Sequence, residues 1–136
     1  MRRKYLLIAI LVWVLLIAMG LYIYNKPHSS AANIKPDYSL DATDLYKQFQ
    51  QDEAVANKKY LDKVIEVKGT VAEVQRSGKN ATVELRGESA MGGINCSFTN
   101  MEPNIQITSK GSLLTIKGKC SGFLMDVNLV DCVVEE

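Results

Sequence analysis

The chain has 136 residues, with 16 basic and 15 acidic side chains and a formal net charge of +1. That length suits one domain of ordinary size. Beyond residue 24 there are 13 basic and 15 acidic side chains, a net charge of −2. A part of the chain so close to neutral lacks the excess of basic residues that attracts a polyanion. Its composition therefore argues against a nucleic-acid-binding domain.

The first predicted element is a membrane-spanning helix from Tyr5 to Tyr24, a run of 20 residues without a charge. At ~1.5 Å per residue, such a helix matches the ~30 Å hydrocarbon core of a bilayer. Arg2, Arg3 and Lys4 precede the run. The positive-inside bias then keeps residues 1–4 cytoplasmic and exports the rest of the chain. The sequence thus predicts a single-pass protein of the inner membrane, with residues 1–24 as tip and anchor.

A cleaved signal peptide is the alternative for this segment, because Ala18-Met19-Gly20 offers small residues at the spacing of a cleavage site. Cleavage there would leave the apolar stretch LYIY on the new terminus. The run is also longer than the apolar core of a typical signal peptide. No cysteine follows it closely, which argues against a lipoprotein anchor.

Residues 25–40 are predicted to be a linker, because two prolines and several small polar residues are typical of a tether. A helix is predicted to follow, with Asp41 as its N-cap and with Leu45 and Phe49 on one face. The stretch DEAVANKKY, residues 52–60, is predicted to continue it for one or two turns. The folded domain is therefore expected over residues 41–136.

Five strands are predicted next, because apolar and polar residues alternate. Their apolar positions are Ile65, Val67, Gly69 and Val71; Ala81, Val83 and Leu85; Ile94, Cys96 and Phe98; Leu114, Ile116, Gly118 and Cys120; and Val127 and Leu129, with Cys132 and Val134 after a slip. The alternation also slips by one residue after Val71, which suggests a bulge. Residues 99–111 break the strand pattern, and a short helix there is left open.

Two of these strands place a Lys-Gly pair inside an apolar run, in VIEVKGTV (64–71) and LLTIKGKC (113–120). A glycine inside a strand marks a sharp bend, and Gly69 and Gly118 would let the first and fourth strands close a barrel. Lys68 and Lys117 are expected to point outward. A partly open barrel of five strands is the OB-fold layout. The predicted fold class is therefore all-β with a helical flank, behind an N-terminal transmembrane helix.

Several stretches together resemble the tRNA_anti-like family of small bacterial OB-fold proteins: LYKQF, DEAVANKKYLDKVIEVKGTVAEV, INCSF, IKGKCSG and DVNLVDCVV. The resemblance covers roughly residues 42–134. It implies a helix-plus-barrel protein of the cell envelope, and it implies little about function, since a fold does not transfer function.

The sheet face that OB-folds use for binding lies on the second and third predicted strands. Its outward residues are Thr82, Glu84, Arg86, Asn95 and Ser97. None is aromatic and the charges cancel, whereas single-stranded nucleic acids need aromatic platforms and a basic groove. We therefore do not expect nucleic-acid binding.

Catalysis is not predicted either, because the sole histidine, His28, lies in the linker and no nucleophile and base are recognisable by spacing. No cluster has metal-ligand spacing, and no cofactor is implied. Two functional classes remain: a membrane-anchored, non-enzymatic module that binds an envelope protein, peptide or glycan, and a structural or assembly protein of the envelope.

The candidate contact surface is a ring of loops over residues 76–80, 87–93 and 121–126. Met91, Phe123, Leu124 and Met125 are apolar residues in these turns. For Phe123 and Leu124, capping of the barrel end is an equally good interpretation.

Cys96, Cys120 and Cys132 all fall on inward-facing positions. An exported domain permits disulfides, so one bridge and one spare thiol are expected. The pairing stays open. Cys120 and Cys132 are close in sequence, but a tight hairpin would set Cys132 opposite about Leu114, so that pair needs an irregular register.

Overall fold

The computed structural model describes residues 2–24, 31–87, 91–101 and 109–135. The helices of the described residues all lie before Val64, and five strands follow them. The elements are α1 (Arg2–Tyr24), a 3-10 helix (Ala31–Asn33), β1 (Tyr38–Asp41), α2 (Ala42–Gln51), α3 (Glu53–Tyr60), β2 (Val64–Ser77), β3 (Asn80–Arg86), β4 (Ile94–Phe98), β5 (Leu113–Phe123) and β6 (Val127–Glu135).

The α1 helix includes all residues of the segment predicted to cross the membrane, Tyr5 to Tyr24. Among the residues whose side chains the structure places, which in α1 are 11–22, no helix is long and apolar enough for a membrane span. The predicted transmembrane helix is therefore not supported by that finding and stays a prediction.

The five longer strands close into a barrel. Neighbouring strands follow the order β2-β3-β4-β6-β5, and β5 pairs again with β2 to complete the circle. The order confirms the predicted five-stranded OB-type barrel. The alternating positions named above fill its core, with Val83, Leu85, Ile94, Ile116 and Leu129 fully buried.

Gly69 lies where β2 changes partner along its length. Pairing with β5 runs from Val64 to Thr70, and pairing with β3 begins at Thr70. A Cβ atom on Gly69 would lie 2.9 Å from the Cβ of Ala42, so the close approach of α2 requires a glycine there. The predicted bulge is present too, because the register with β3 shifts between Val71 and Glu73.

The prediction that Lys117 points to solvent was wrong, whereas Lys68 is exposed as expected. Lys117 is only 6% exposed, and its ammonium group forms an ion pair with Glu135 on the neighbouring strand. A buried charge needs such a partner to offset its lost hydration. The register between β5 and β6 shifts beside it, which alternation in β5 alone does not reveal.

Part of the stretch predicted as linker is packed against the barrel. Ala31 in the 3-10 helix is 2% exposed, and that helix packs against β5 and β6. The short β1 pairs in parallel with the first half of β2, Tyr38 opposite Ile65. It is a sixth strand that the sequence did not predict. Residues 25–30, with His28, lie outside the described residues.

The helical flank follows its predicted course, with a break. Asp41 is the N-cap of α2, although its side chain makes no capping hydrogen bond. Asp52 ends α2 and caps α3, because its Oδ1 accepts a hydrogen bond from the Val55 N–H at 3.0 Å. Phe49 on α2 is 1% exposed and packs in the hydrophobic core of the barrel. The open question of a helix within residues 99–111 falls largely on residues 102–108, outside the described part.

Candidate binding surface

A shallow polar groove crosses the outer face of β2, β3, β4 and β6. It has a volume of about 290 Å³. The described residues that line it all carry polar side chains: Glu73, Gln75, Thr82, Glu84, Asn95, Ser97 and Asn128. We call this surface the polar groove. It contains four of the five residues that the sequence predicted on the binding face, and Arg86 stands beside it on β3.

Cross-strand register places the groove's side chains in rows. Glu73 lies opposite Glu84, Glu84 opposite Asn95, and Asn95 opposite Asn128. The bulge in β2 sets the first of these pairs. Two carboxylates directly opposite each other on one face of a sheet repel, so this row carries local negative charge.

Neighbouring side chains moderate that charge without reversing it. The Nε of Arg86 donates to the Oε1 of Glu84 at 2.6 Å, and the Nε2 of Gln75 donates to the Oε1 of Glu73 at 2.8 Å. This hydrogen bond to Glu84 raises the pKa of the Arg86 guanidinium, which therefore stays charged. The groove thus offers carboxylate, amide and hydroxyl groups with a slightly acidic balance.

Asp126 joins two loops at one end of the groove. Its Oδ1 accepts a hydrogen bond from the Gly93 N–H at 2.7 Å, and its Oδ2 accepts one from the Asn95 Nδ2 at 3.3 Å. The Val127 N–H also donates to the Gly93 carbonyl at 3.1 Å. No sequence pattern marks Asp126, because the parallel pairing of β4 with β6 is what brings it beside Asn95.

Three of the four apolar loop residues predicted as a contact surface are exposed. Met91 is 94%, Leu124 87% and Met125 82% exposed, and they lie on the two loops that Asp126 joins. We call these three residues the apolar tip. Phe123 is different: its ring stacks on Phe49 at 5.6 Å and meets Tyr46 edge-on at 6.0 Å. Phe123 therefore caps the barrel end.

The predicted ring of loops is divided between two ends of the sheet. Ala81 lies opposite Phe98 and Leu85 opposite Ile94, so the turn after β2 and the loop after β3 flank opposite ends of β4. Only the loops over 87–93 and 121–126 are adjacent, and residues 88–90 of the first lie outside the described residues.

A second depression, of about 360 Å³, lies where α2 begins. Asp41 and Asp44 of the helix face Lys68 and Arg86 of the sheet across it. The mixed charges make it an ordinary helix–sheet junction, and it lies off the OB binding face.

The three cysteines are buried free thiols in the structure, so it does not contain the predicted disulfide. Burial, with a hydrogen-bonding interaction with Cys132, raises the pKa of Cys96 well above its usual value. Burial also raises the pKa of Cys120. Across the described ranges, no three His, Cys, Asp or Glu side chains are grouped to hold a metal ion.

Comparison with known proteins identifies a family and related folds. The family model described as tRNA_anti-like matches residues 1–134. No protein of curated function matches significantly. A crystal structure of a Klebsiella pneumoniae subsp. pneumoniae lipoprotein, provisionally assigned to nucleic-acid binding, is 20% identical with a TM-score of 0.61. The match covers 82% of this chain and 100% of that one. At this identity the similarity shows the fold alone.

Two further solved structures are more distant. The Stn1-Ten1 complex of S. pombe is 14% identical with a TM-score of 0.40, over 54% of this chain and 58% of that one. A protein of Leishmania major Friedlin, provisionally assigned as an aspartyl-tRNA synthetase, is also 14% identical, with a TM-score of 0.49. That match covers 88% of this chain and 24% of the other.

Proposed function

The chain belongs to the tRNA_anti-like family, and on that premise we propose that it is a membrane-anchored, non-enzymatic OB-fold binding module of the bacterial cell envelope. The observation that carries the proposal is the polar groove on the OB binding face, which ends beside the apolar tip. The partner is a polypeptide segment of another envelope component, which places polar groups in the groove and an apolar side chain at the tip.

The anchor is the segment from Tyr5 to Tyr24, and its support is the absence of charge throughout the run. Its large apolar side chains from Leu11 to Tyr22 are between 47% and 77% exposed in the structure. Apolar surface on this scale is stable when an apolar environment covers it. Because basic residues precede the segment, this anchor places the barrel outside the inner membrane. The lipoprotein relative, named for a lipid attachment, is consistent with an envelope location.

Nucleic acid is disfavoured as the ligand by the charge in the groove. Non-specific binding comes chiefly from Lys and Arg neutralising phosphates, and stacking platforms add to it. Here Glu73 and Glu84 lie opposite each other on the face, and none of the described residues that line the groove is aromatic. The binding assigned to the Klebsiella lipoprotein therefore does not transfer to this chain.

A polypeptide fits the same surface better than a sugar does. The amide and carboxylate groups of Asn95, Asn128 and Glu84 can pair with backbone and basic groups of an extended segment. The neighbouring apolar tip offers flexible Met side chains that adapt to an apolar partner residue. A glycan ligand, or a purely structural role in envelope assembly, is the alternative.

The non-enzymatic part of the proposal rests on the sequence. Its one histidine, His28, precedes the barrel, and its cysteines sit at core positions without a recognisable base. The acidic residues are spread over the outer face, as on an ordinary solvated surface.

Site-specific photo-crosslinking in intact spheroplasts tests the binding surface. With p-benzoylphenylalanine at Ser97 or Leu124, we expect one shared adduct of the same size, because both positions border the proposed contact. The same probe at Lys58, exposed on α3, should give no such adduct. In the Ser97-labelled chain, Glu84→Lys should lower the yield at least fivefold, whereas the control Glu53→Lys on α3 should not. Equal adducts from Lys58, or none from the groove, would contradict the proposal.

The same spheroplasts test the anchor. Protease added outside should destroy the adduct, and the intact adduct should stay with the membranes after a carbonate wash. An adduct that is protected from the protease, or that is released by the wash, would argue against an exported domain on an uncleaved anchor.

A further inference from the structure

Cys96 and Cys132 are both buried in the barrel core, on two neighbouring strands that pair only over a short stretch. The parallel pairing of β4 with β6 ends at Cys96 opposite Leu129, and Cys132 lies three residues further along β6. Both side chains are buried, 0% and 6% exposed. The Cys96 Sγ donates to the Ile94 carbonyl at 3.8 Å, and the Cys132 thiol contributes to the raised pKa of Cys96.

A backbone irregularity in β6 turns Cys132 toward the core. In a regular strand, side chains alternate, so Leu129 and Cys132 would point to opposite faces. The register with β5 instead shifts: Lys119 lies opposite Val130 and Lys117 opposite Val133. Two residues of β6, Asp131 and Cys132, therefore face Gly118 alone, which is the definition of a bulge.

The bulge uses an uncommon backbone conformation and a matching space on β5. Asp131 has φ 53°, in the left-handed region that most residues avoid. A Cβ on Gly118 would lie only 2.5 Å from the Sγ of Cys132. The strained residue and the missing side chain together hold the Cys132 thiol over Gly118. The Leu129 Cβ lies over the same glycine, 3.1 Å from the added Cβ, and Leu129 is the residue that pairs with Cys96.

Cys120 stands apart from this pair. It is fully buried on β5, where its backbone N–H donates to the Lys63 carbonyl at 2.9 Å. The groups that influence its thiol are Asp62 and the Gly122 backbone.

We propose that Cys96 and Cys132 form the one disulfide of this protein and that Cys120 remains a thiol. The reaction is thiol–disulfide exchange with a disulfide-bonded oxidant, such as a thiol oxidoreductase or oxidised glutathione. One cysteine attacks the oxidant to form a mixed disulfide, and the other displaces the oxidant's second sulfur. The protein loses two protons and two electrons, and the oxidant gains them as two thiols. Because both sulfur atoms are buried, exchange takes place while the barrel folds or opens.

Refolding of the full chain in detergent micelles tests the pairing without reference to location or ligand. After refolding in oxidised glutathione, thiols are counted by maleimide–polyethylene glycol labelling of the unfolded chain. We expect one free thiol in the unmodified chain and none in Cys120→Ser. Peptide mapping without reduction should link the peptides of Cys96 and Cys132.

Three free thiols, or a linkage that contains Cys120, would overturn the proposal. Cys120→Ser keeps the test valid if variants of the proposed pair fold poorly, because it leaves that pair intact. A negative result here leaves the crosslinking outcomes at the polar groove unaffected, so the two proposals fail separately.

Discussion

Phe49→Ala is expected to lower the free energy of unfolding by about 3–5 kcal/mol, the cost typical of deleting a fully buried aromatic ring. Phe49 is 1% exposed and stacks on Phe123 with ring centroids 5.6 Å apart, and its ring centroid lies 5.9 Å from that of Tyr60. Its removal would leave a cavity between α2, α3 and the end of β5. Urea denaturation followed by circular dichroism measures the change.

The matched control is Lys47→Ala, on the exposed side of the same helix. We expect a change within about 0.5 kcal/mol, as for most surface substitutions. If Phe49→Ala behaved like Lys47→Ala, the helical flank would not be part of the barrel core.

Gly118→Val is expected to destabilise the barrel by about 3 kcal/mol, the upper part of the usual range for overpacking. The added Cβ would lie 2.5 Å from the Cys132 Sγ, 3.1 Å from the Leu129 Cβ and 3.3 Å from the Val130 carbonyl. Valine has a higher β-strand propensity than glycine, so propensity alone would predict that the substitution stabilises the protein. Thermal denaturation under reducing conditions separates this effect from disulfide formation.

Gly78→Asn is the matched control for that substitution. Gly78 has φ 60°, and a Cβ there would meet nothing within 4 Å. Asparagine tolerates this conformation better than other residues, so little change is expected. Similar melting temperatures for both variants would contradict the close packing of β6 on Gly118.

Side-chain alternation was enough to predict the barrel strands, because one face of each is buried. Ala81, Val83 and Leu85 alternate against polar residues, and all three lie in the core. The slip after Val71 also predicted a real bulge. Alternation failed where a strand depends on pairing with a segment far away in the sequence. The four residues of β1 are too few to show a period, and they form a strand because they pair with β2.

The candidate site was predicted in outline for the same reason. The outward positions of β3 and β4 could be named from parity, but Glu73 and Asn128 join the groove only through cross-strand register. Lys117 shows the limit most clearly. Its parity in β5 is that of an exposed residue, yet its side chain is 6% exposed and forms an ion pair with Glu135 on β6. Parity does not show what packs against a strand, and the 3-10 helix packs against both β5 and β6. The slip in alternation between Leu129 and Cys132 marks the irregularity in β6, but it does not show that Asp131 adopts a left-handed conformation.

Titration of a fluorescent single-stranded oligonucleotide with the purified full chain, at physiological salt, tests the central claim most directly. The acidic row of Glu73 and Glu84 predicts no saturable binding at micromolar protein, by fluorescence anisotropy. The double variant Glu73→Lys/Glu84→Lys should bind measurably more tightly, and the binding should weaken as salt rises. Saturable micromolar binding by the unmodified chain would contradict the account and would favour a nucleic-acid-binding OB-fold.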